Sequence, residues 1–128
     1  MTLSAARPIA MVITRDRAVA EPFYGEVLGL RRLPGDDFAA LFDLAGVTLR
    51  LTEVPDYAPT GHPVLGWEVP DIVATVDALA ARGVTFAIYS GMDQDDRGIW
   101  TAPDGSAKVA FFSDPDGNSL SLTQVVGG

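Results

Sequence analysis

Cysteine is absent from the 128-residue sequence, and histidine and lysine each occur once, as His62 and Lys108. Without a thiol, the chain can form neither a disulfide framework nor a thiolate metal site. Long apolar runs are also missing, since no segment approaches the roughly 18 consecutive residues of a membrane-spanning helix. The N-terminus lacks the cationic start and apolar run of a secretory leader. We therefore expect a cytoplasmic protein with no membrane partner.

Basic side chains are scarce relative to acidic ones. Nine Lys and Arg residues stand against seventeen Asp and Glu residues, which leaves a formal net charge of -8. This charge repels the phosphates of nucleic acids and anionic lipid surfaces, so neither is an expected partner. The chain is instead rich in apolar residues. A hydrophobic content of 48% over 128 residues predicts one domain with a substantial core.

The order of predicted elements occurs twice along the chain. Asp16 and Asp71 are typical N-cap residues, each followed by apolar residues at helical spacing, and Gly29 and Gly83 stand where such helices end. The first helix is predicted over residues 18–28. Strands are predicted over 9–13, 38–44, 47–52, 64–69, 84–88, 98–102, 106–112 and the run after 118. We expect one domain over 1–128, with a first module over about 5–54, a linker over 55–63 and a second module over about 64–126. Periodicity alone predicts an α+β fold with a mostly antiparallel sheet.

Two stretches resemble one known superfamily. The downstream stretch predicts a hairpin, because Asp114 and Pro115 favour a turn and Gly117 supplies a positive φ. It reads Phe112-x-Asp114-Pro115-Asp116-Gly117-Asn118-x-Leu120-x-Leu122, and the upstream stretch reads Phe23-Tyr24-x-x-Val27-Leu28-Gly29-Leu30. Together they resemble the vicinal oxygen chelate superfamily, which includes glyoxalase I, extradiol dioxygenases and bleomycin-resistance proteins. The resemblance implies paired βαβββ modules that form a half-open, mostly antiparallel sheet cup with helices outside.

In the metal-dependent members, as the resemblance implies, four residues facing into the cup hold one divalent cation, typically His or Gln, Glu, His and Glu. Their positions fall here on Ile9, Arg50, Val64 and Ser121. None of these is a usual ligand, and a guanidinium ~4 Å from a cation is repelled by about 4 kcal/mol per unit charge at an effective dielectric of 20. We expect no metal and no other cofactor. His62 is interpreted as a linker residue, because Pro63 suggests that the strand has not yet begun.

Arg50 has two interpretations that the sequence leaves open. It is either a paired strand arginine, bonded to Glu53 or Glu68, or a guanidinium that binds a carboxylate, phenolate or enolate oxygen of a ligand. Glu68 is correspondingly either the partner of Arg50, which we favour, or a general base. Ser121 has no neighbouring His base and is expected to form hydrogen bonds as a wall residue.

Aromatic and small polar residues complete the predicted cup. Trp67 is expected on the side packed by the helix, whereas Trp100 either covers a ligand or packs in the core. Candidates for a lid or wall are Phe38, Phe42, Tyr89 and Phe111. A polar row on the last strand consists of Ser119, Ser121 and Thr123. The candidate ligand-binding residues are Ile9, Met11, Arg50, Thr52, Val64, Glu68, Trp100, Ser121 and Thr123.

Three functions fit these residues. The leading hypothesis is metal-independent binding of a small planar or aromatic ligand, for which drug sequestration of the bleomycin-resistance type is one version. Net charge and Arg50 point to different ligands, since an acidic protein also attracts cationic drugs. The second is a lyase, isomerase or dioxygenase acting on a small oxygenated substrate, with Glu68 or Glu53 as base. The third is a pure interaction domain. We also expect a homodimer, because half-open sheets leave apolar area for a two-fold interface.

Overall fold

Each half of the chain forms one sheet and one short α-helix. The computed structural model describes residues 2–126, and the chain divides into unit 1, Met1–Ala58, and unit 2, Pro59–Gly128. Unit 1 contains a 3-10 turn Leu3–Ala5, β1 Ile9–Thr14, α1 Arg17–Pro22, a π-helix Phe23–Val27, β2 Arg31–Leu33, β3 Ala39–Leu44 and β4 Val47–Glu53. Unit 2 contains β5 Pro63–Glu68, α2 Ile72–Ala80, β6 Trp100–Thr101, β7 Ala107–Ser113 and β8 Ser119–Val125. Among the described residues, no helix is long and apolar enough to cross a membrane.

The two sheets have the same strand order. Unit 1 has β1-β4-β3-β2 and unit 2 has β5-β8-β7-β6. In each sheet the first pair is parallel and the other two pairs are antiparallel. Each unit therefore runs strand, helix and three further strands. This order confirms the predicted α+β fold with mainly antiparallel pairing.

The first helix is shorter than its predicted span of 18–28. Asp16 caps it as predicted, because its side chain accepts a hydrogen bond from the Ala18 backbone N–H at 3.0 Å. The α-helical part ends at Pro22, which has no N–H to donate to the preceding turn, and the backbone continues as the π-helix. Gly29 then has a φ of 75°, the left-handed conformation expected just after a helix.

In unit 1 the sequence predicts the β3-β4 hairpin but does not predict β2. β3 and β4 form the predicted hairpin, and the turn residues Ala45 and Gly46 have positive φ values of 52° and 98°. The sequence does not predict β2, because a strand of three residues is too short to show an alternating pattern. Antiparallel pairing with β3 is what holds β2 in the sheet.

In unit 1 the helices pack on one face of the sheet. Tyr24 of the π-helix is fully buried, and its ring lies 6.2 Å from the ring of Phe42. The buried strand residues on this face include Val12, Ala40, Phe42, Leu49 and Leu51. Phe42 is therefore a core residue, and its interpretation as a lid or wall residue is wrong. We call the opposite face of each sheet its helix-free face.

β5 begins one residue earlier than the sequence indicates. Pro63 is its first residue, where a missing N–H is tolerated, so the expectation that the strand has not begun at this proline is wrong. The register with β8 shifts between Pro63 and Leu65, and Val64 is the extra residue of this irregularity. His62 precedes the strand directly and is exposed.

The helix of unit 2 begins and ends as predicted. Asp71 accepts a hydrogen bond from the Ala74 N–H at 3.1 Å, and Gly83 has a φ of 93°. Trp67 stacks on Phe112 with ring centroids 6.4 Å apart, which confirms its predicted position on the helix-packed side. The fully or nearly buried residues on this side include Ile72, Val76, Phe112, Leu120 and Leu122.

Residues 84–88 do not form the strand that their pattern predicts. Phe86 alone makes an isolated bridge to β7. The side chain of Gln94 bonds to the neighbouring backbone groups instead, since its Nε2 donates to the Ala87 carbonyl at 2.8 Å and its Oε1 accepts from the Tyr89 N–H at 2.7 Å. A side chain thus takes the place of a strand partner. The strand predicted over 98–102 is likewise reduced to the two residues of β6.

The turn between β7 and β8 has the geometry that its sequence predicts. Asp114 Oδ1 accepts hydrogen bonds from the backbone N–H groups of Asp116 and Asn118, both at 2.9 Å. Gly117 has a φ of 89°. Because this turn fixes the register of β8, Leu120 faces the helix and Ser121 faces the other way.

Candidate functional site

The helix-free face of unit 1 brings together the four candidate residues of that unit. In the parallel pair β1-β4, Met11 lies opposite Arg50, and Ile9 and Ile13 lie opposite Thr48 and Thr52. Residues opposite each other in a ladder share a face, as do residues two apart in a strand. Ile9, Met11, Arg50 and Thr52 therefore project from one face, as the alternation of β4 predicts.

Arg50 occupies the middle of this face. Its cross-strand neighbours are Met11 on β1 and Leu41 on β3, so apolar side chains flank the guanidinium on both sides. The Arg50 side chain is 30% exposed, and its Nη2 lies 3.6 Å from Asp36 Oδ2. That distance exceeds the reach of about 3.2 Å for an N–H···O bond. Within residues 2–126, Arg50 has no shorter contact with a carboxylate.

Within unit 1, the carboxylate beside Arg50 differs from the one that the sequence suggests there. Asp36 takes this place, not Glu53. Glu53 Oε2 accepts a hydrogen bond from the Arg17 backbone N–H at 2.8 Å, which ties the end of β4 to the start of α1. Pairing by Glu53 is therefore a wrong interpretation, and Asp36 is a functional candidate that the sequence analysis missed.

Asp36 is held by its own turn. Its Oδ1 accepts hydrogen bonds from the backbone N–H groups of Phe38 and Ala39, each at 2.8 Å. These two donors, and less strongly the charge of Arg50, lower the pKa of Asp36 below its ordinary value of 3.8. Oδ2 is left to face Arg50. The signal in the sequence is an Asp three residues before a strand begins. Such a side chain can accept hydrogen bonds from the N–H groups that follow it, as in an Asx-type turn.

Thr52 contributes a buried hydroxyl to the same face. It lies between Ile13 on β1 and Ala39 on β3 in the ladder. Its Oγ1 is buried, and within residues 2–126 this atom has no hydrogen-bonding partner. A buried polar atom without a hydrogen bond costs free energy. Because Thr52 lies on the same face as Arg50, we include its hydroxyl in the candidate site.

The helix-free face of unit 2 brings together a second set. One ladder row runs from Glu68 on β5 through Thr123 on β8 and Val109 on β7 to Trp100 on β6. Trp100 therefore shares a face with Glu68 and Thr123, on the side of the sheet opposite α2. The carboxylate of Glu68 is exposed on this face.

The next row of unit 2 combines Gly66, Ser121 and Phe111. A Cβ at Gly66 would collide with Ser121 Oγ, so the absence of a side chain leaves room for this hydroxyl. Phe111 makes an edge-to-face contact with Tyr89, with ring centroids 5.9 Å apart. Both aromatic residues thus line this face beside the polar row. Val64, at the register shift of β5, is exposed.

The residues at the family's metal positions do not fit a divalent cation. Ile9, Arg50, Val64 and Ser121 offer one hydroxyl, two aliphatic side chains and one cation, whereas such ions need several carboxylate, imidazole or other oxygen donors. Across residues 2–126, no group of three or more His, Asp or Glu residues is placed to hold a metal. No catalytic step through a metal follows from this set.

Comparison with known families gives one match over most of the chain. The model described as Glyoxalase/Bleomycin resistance protein/Dioxygenase superfamily matches residues 8–122. A comparison with curated proteins gives no significant match.

Solved structures with the same architecture include three whose names state a family or an activity. A glyoxalase/bleomycin resistance protein/dioxygenase from Nocardioides is 23% identical, with 97% of this chain and 87% of that chain covered and a TM-score of 0.69. A lactoylglutathione lyase from Agrobacterium tumefaciens is 20% identical, with 94% and 93% covered and a TM-score of 0.64. The fosfomycin resistance protein FosX from Listeria monocytogenes is 13% identical, with 96% and 95% covered and a TM-score of 0.73. At these identities the similarity shows the fold alone.

Proposed function

The chain belongs to the glyoxalase/bleomycin resistance protein/dioxygenase superfamily, and from this premise we propose that it binds a small planar, anionic or aromatic ligand without a metal. The observation that carries the proposal is that, in the part of the chain that the structure describes, most N–H donors of Arg50 have no close carboxylate partner. A guanidinium has five N–H donors, and here it has one carboxylate contact at 3.6 Å. It therefore has donors to spare for a ligand oxygen.

Arg97 shows a closely paired arginine in the same protein. Its Nε and Nη2 donate to the two carboxylate oxygens of Asp77 at 2.8 and 3.1 Å. This bidentate pair provides two short charge-assisted bonds of the kind that Arg50 does not make with Asp36. Arg50, by contrast, is half-buried and flanked by apolar side chains, with only a long contact to Asp36. Binding a ligand carboxylate or phenolate would supply the bonds that Arg50 lacks.

The surroundings of Arg50 favour a flat ligand. Met11 and Leu41 flank the guanidinium and offer apolar surface to a ring, while Thr48 and Thr52 lie on the same face. Sites for small molecules typically combine such apolar walls with a few polar groups that orient the ligand. A charge-assisted bond to Arg50 would provide the orientation, and ring contact would provide most of the buried area.

Replacing Arg50 by Met tests the proposal. The variant retains much of the apolar stem and loses all five donors. A charge-assisted hydrogen bond is worth roughly 1.5 to 3 kcal/mol, so we expect benzoate and salicylate to bind Arg50→Met about ten- to a hundredfold more weakly by calorimetry. The matched control is Arg31→Met on the same face, because Arg31 is largely exposed and already contacts Asp43 at 3.3 Å. Equal binding to wild type and Arg50→Met would refute the proposal.

A cationic ligand is the competing outcome of the same screen. Glu68 and Trp100 lie on the two edge strands of the helix-free face of unit 2, with Thr123 and Val109 between them, and a carboxylate and an indole ring each attract a cation. If cationic aromatic compounds bind and Arg50→Met strengthens them, sequestration of basic compounds becomes the better function.

Metal independence is the second part of the proposal. Because no suitable donor set is present at the family's four positions, we expect EDTA to leave both the melting temperature and benzoate affinity unchanged. A fall in melting temperature that zinc, nickel or manganese restores would contradict it.

A further inference from the structure

The connection between β2 and β3 is built so that one carboxylate oxygen points at Arg50. Asp36 Oδ1 is occupied by the backbone N–H groups of Phe38 and Ala39, and the Asp36 N–H donates to the Ala39 carbonyl at 3.1 Å. Arg17 Nη1 donates to the Asp36 carbonyl at 3.2 Å. The position of Asp36 is therefore fixed from both its side chain and its backbone.

Gly35 fixes the path of the same connection. A Cβ at this position would lie 2.7 Å from the Ala39 carbonyl oxygen and 3.4 Å from the Ala40 Cα. Both are backbone atoms of a strand, so they cannot move aside. The close approach presses the connection onto β3. The turn holds Asp36 with its Oδ2 3.6 Å from Arg50 Nη2.

A fixed carboxylate changes what the guanidinium can bind. An anion that bonds to the spare N–H groups of Arg50 must approach Asp36 Oδ2, which is 3.6 Å from Nη2 of the same group. The attraction of Arg50 is then partly offset by repulsion from Asp36. The repulsion rises in proportion to the ligand charge, whereas a neutral carbonyl or phenol is not repelled.

We propose that Asp36 is a specificity-determining residue of the Arg50 site, a fixed counter-anion that admits neutral and singly charged planar ligands and discriminates against dianions. This inference rests on the proposed function, because it assumes that ligands bind at Arg50. Asp36 forms no bond to the ligand in this proposal. The Asp36 carboxylate acts on the ligand through its charge, and the turn fixes where that charge lies.

The experiment compares three benzene derivatives of increasing charge, benzamide, benzoate and phthalate, at pH 7.5 and low ionic strength. Asp36→Asn retains an oxygen that accepts from Phe38 and Ala39 and removes the charge. A partly exposed charge pair changes affinity by up to about fivefold, so we expect benzoate to gain about fivefold and phthalate about twenty-fivefold in Asp36→Asn, with benzamide unchanged. The matched control is Asp37→Asn, which removes the same charge from the next residue of the turn and should leave the phthalate-to-benzoate ratio near the wild-type value.

The signal of the Arg50 Nε–H group in a nitrogen-15 spectrum, assigned by its loss in Arg50→Met, locates the binding. It should shift during benzoate titration, and further in Asp36→Asn. If Arg50→Met loses benzoate binding but Asp36→Asn keeps the wild-type ratio or weakens benzoate, the Asp36 inference fails and the proposed function stands. If benzoate binds wild type and Arg50→Met equally, the proposed function fails. If no probe binds wild type or Asp36→Asn, both fail; binding that appears only in Asp36→Asn supports the inference.

Discussion

The hydroxyl of Thr52 gives a stability prediction at the scale of one residue. Its Oγ1 is buried without a hydrogen-bonding partner in residues 2–126, and an unsatisfied buried polar atom costs about 1 to 3 kcal/mol. Valine has nearly the same shape and no polar atom. We expect Thr52→Val to raise the free energy of unfolding by about 1 kcal/mol in urea denaturation, since part of the cost is already relieved by local relaxation.

Thr48→Val is the control for that measurement. Thr48 lies on the same strand and face as Thr52 but has no buried unsatisfied atom. Its replacement should change the free energy of unfolding by less than about 0.5 kcal/mol, as is usual away from special features. A loss of stability in Thr52→Val larger than that in Thr48→Val would show that the hydroxyl is bonded.

At this scale the sequence predicts faces better than partners. The face of Arg50 follows from its neighbours, because Leu49 and Leu51 must be buried and the side-chain period of a strand is two. Its contact with Asp36 does not follow, since it depends on how a glycine lets the preceding turn press onto β3. Trp100 is an intermediate case: its face becomes clear only once its pairing with Val109 is known.

Among the elements, the segment after α2 has one side chain that bonds to three of its backbone groups. Gln94 Nε2 donates to the carbonyls of Ala87 and Gly98, both at 2.8 Å, and its Oε1 accepts from the Tyr89 N–H. Gln94→Met has a similar length and none of these bonds. We expect a loss of about 1 to 3 kcal/mol in unfolding free energy and faster hydrogen exchange at the Tyr89 amide. Unchanged exchange at that amide would show that the segment is held by other contacts.

The same side chain explains why residues 84–88 mislead a sequence-based prediction. Their apolar pattern suits a strand, but contact with β7 is limited to the Phe86 bridge and the bond from the Ala87 N–H to the Phe111 carbonyl. The Ala87 carbonyl and the Tyr89 N–H bond instead to a glutamine in the following loop, and no local pattern identifies such a partner. α2 is predictable for the opposite reason. Its cap, Asp71, bonds to the N–H three residues further on.

The ion pair between α2 and this segment predicts a dependence on pH. The Arg97 guanidinium, first through hydrogen bonding and then through its charge, lowers the pKa of Asp77 below 3.8. A depressed pKa stabilises the folded state above the ordinary value, and this contribution is lost as pH falls through the folded pKa. Asp77→Asn should therefore lower the melting temperature slightly at pH 7, and the difference from wild type should shrink as pH falls below 3.8 and vanish below the folded pKa.

Asp56→Asn is the reference for this comparison. Asp56 is exposed and forms no ion pair within the described part of the chain. Its replacement should leave the melting temperature close to that of wild type at both pH values. A difference between Asp77→Asn and wild type that is as large at pH 3 as at pH 7 would contradict the assignment to this pair.

For the whole molecule, the repeated order of elements is what the sequence predicts best. Two caps, two terminal glycines and one turn motif are local signals, and each unit has one strand, a helix and three more strands as they indicate. The identical strand order of the two sheets is not local information. It depends on parallel pairing between β1 and β4 and between β5 and β8, which the chain brings together across its intervening elements.

We propose that the protein is a homodimer. Val19 and Phe38 of unit 1 are 55% and 73% exposed, and such apolar groups can be covered by a second chain. Light scattering at micromolar concentration should give twice the mass of one chain, and Phe38→Ser should weaken the association. Leu3→Ser, at an exposed apolar position outside the sheet, is the control. A single-chain mass for wild type would contradict the proposal.

The stretch between β4 and β5 has a genetic consequence. Residues 54–62 belong to no strand or helix, and every ladder of each sheet lies wholly to one side of them. A gene interrupted here would encode two polypeptides, each with all the pairing partners of its own four strands. An interruption inside β1–β4 or β5–β8 would separate strands that pair. The smallest piece that recombination can duplicate or exchange without breaking a sheet is therefore one whole unit.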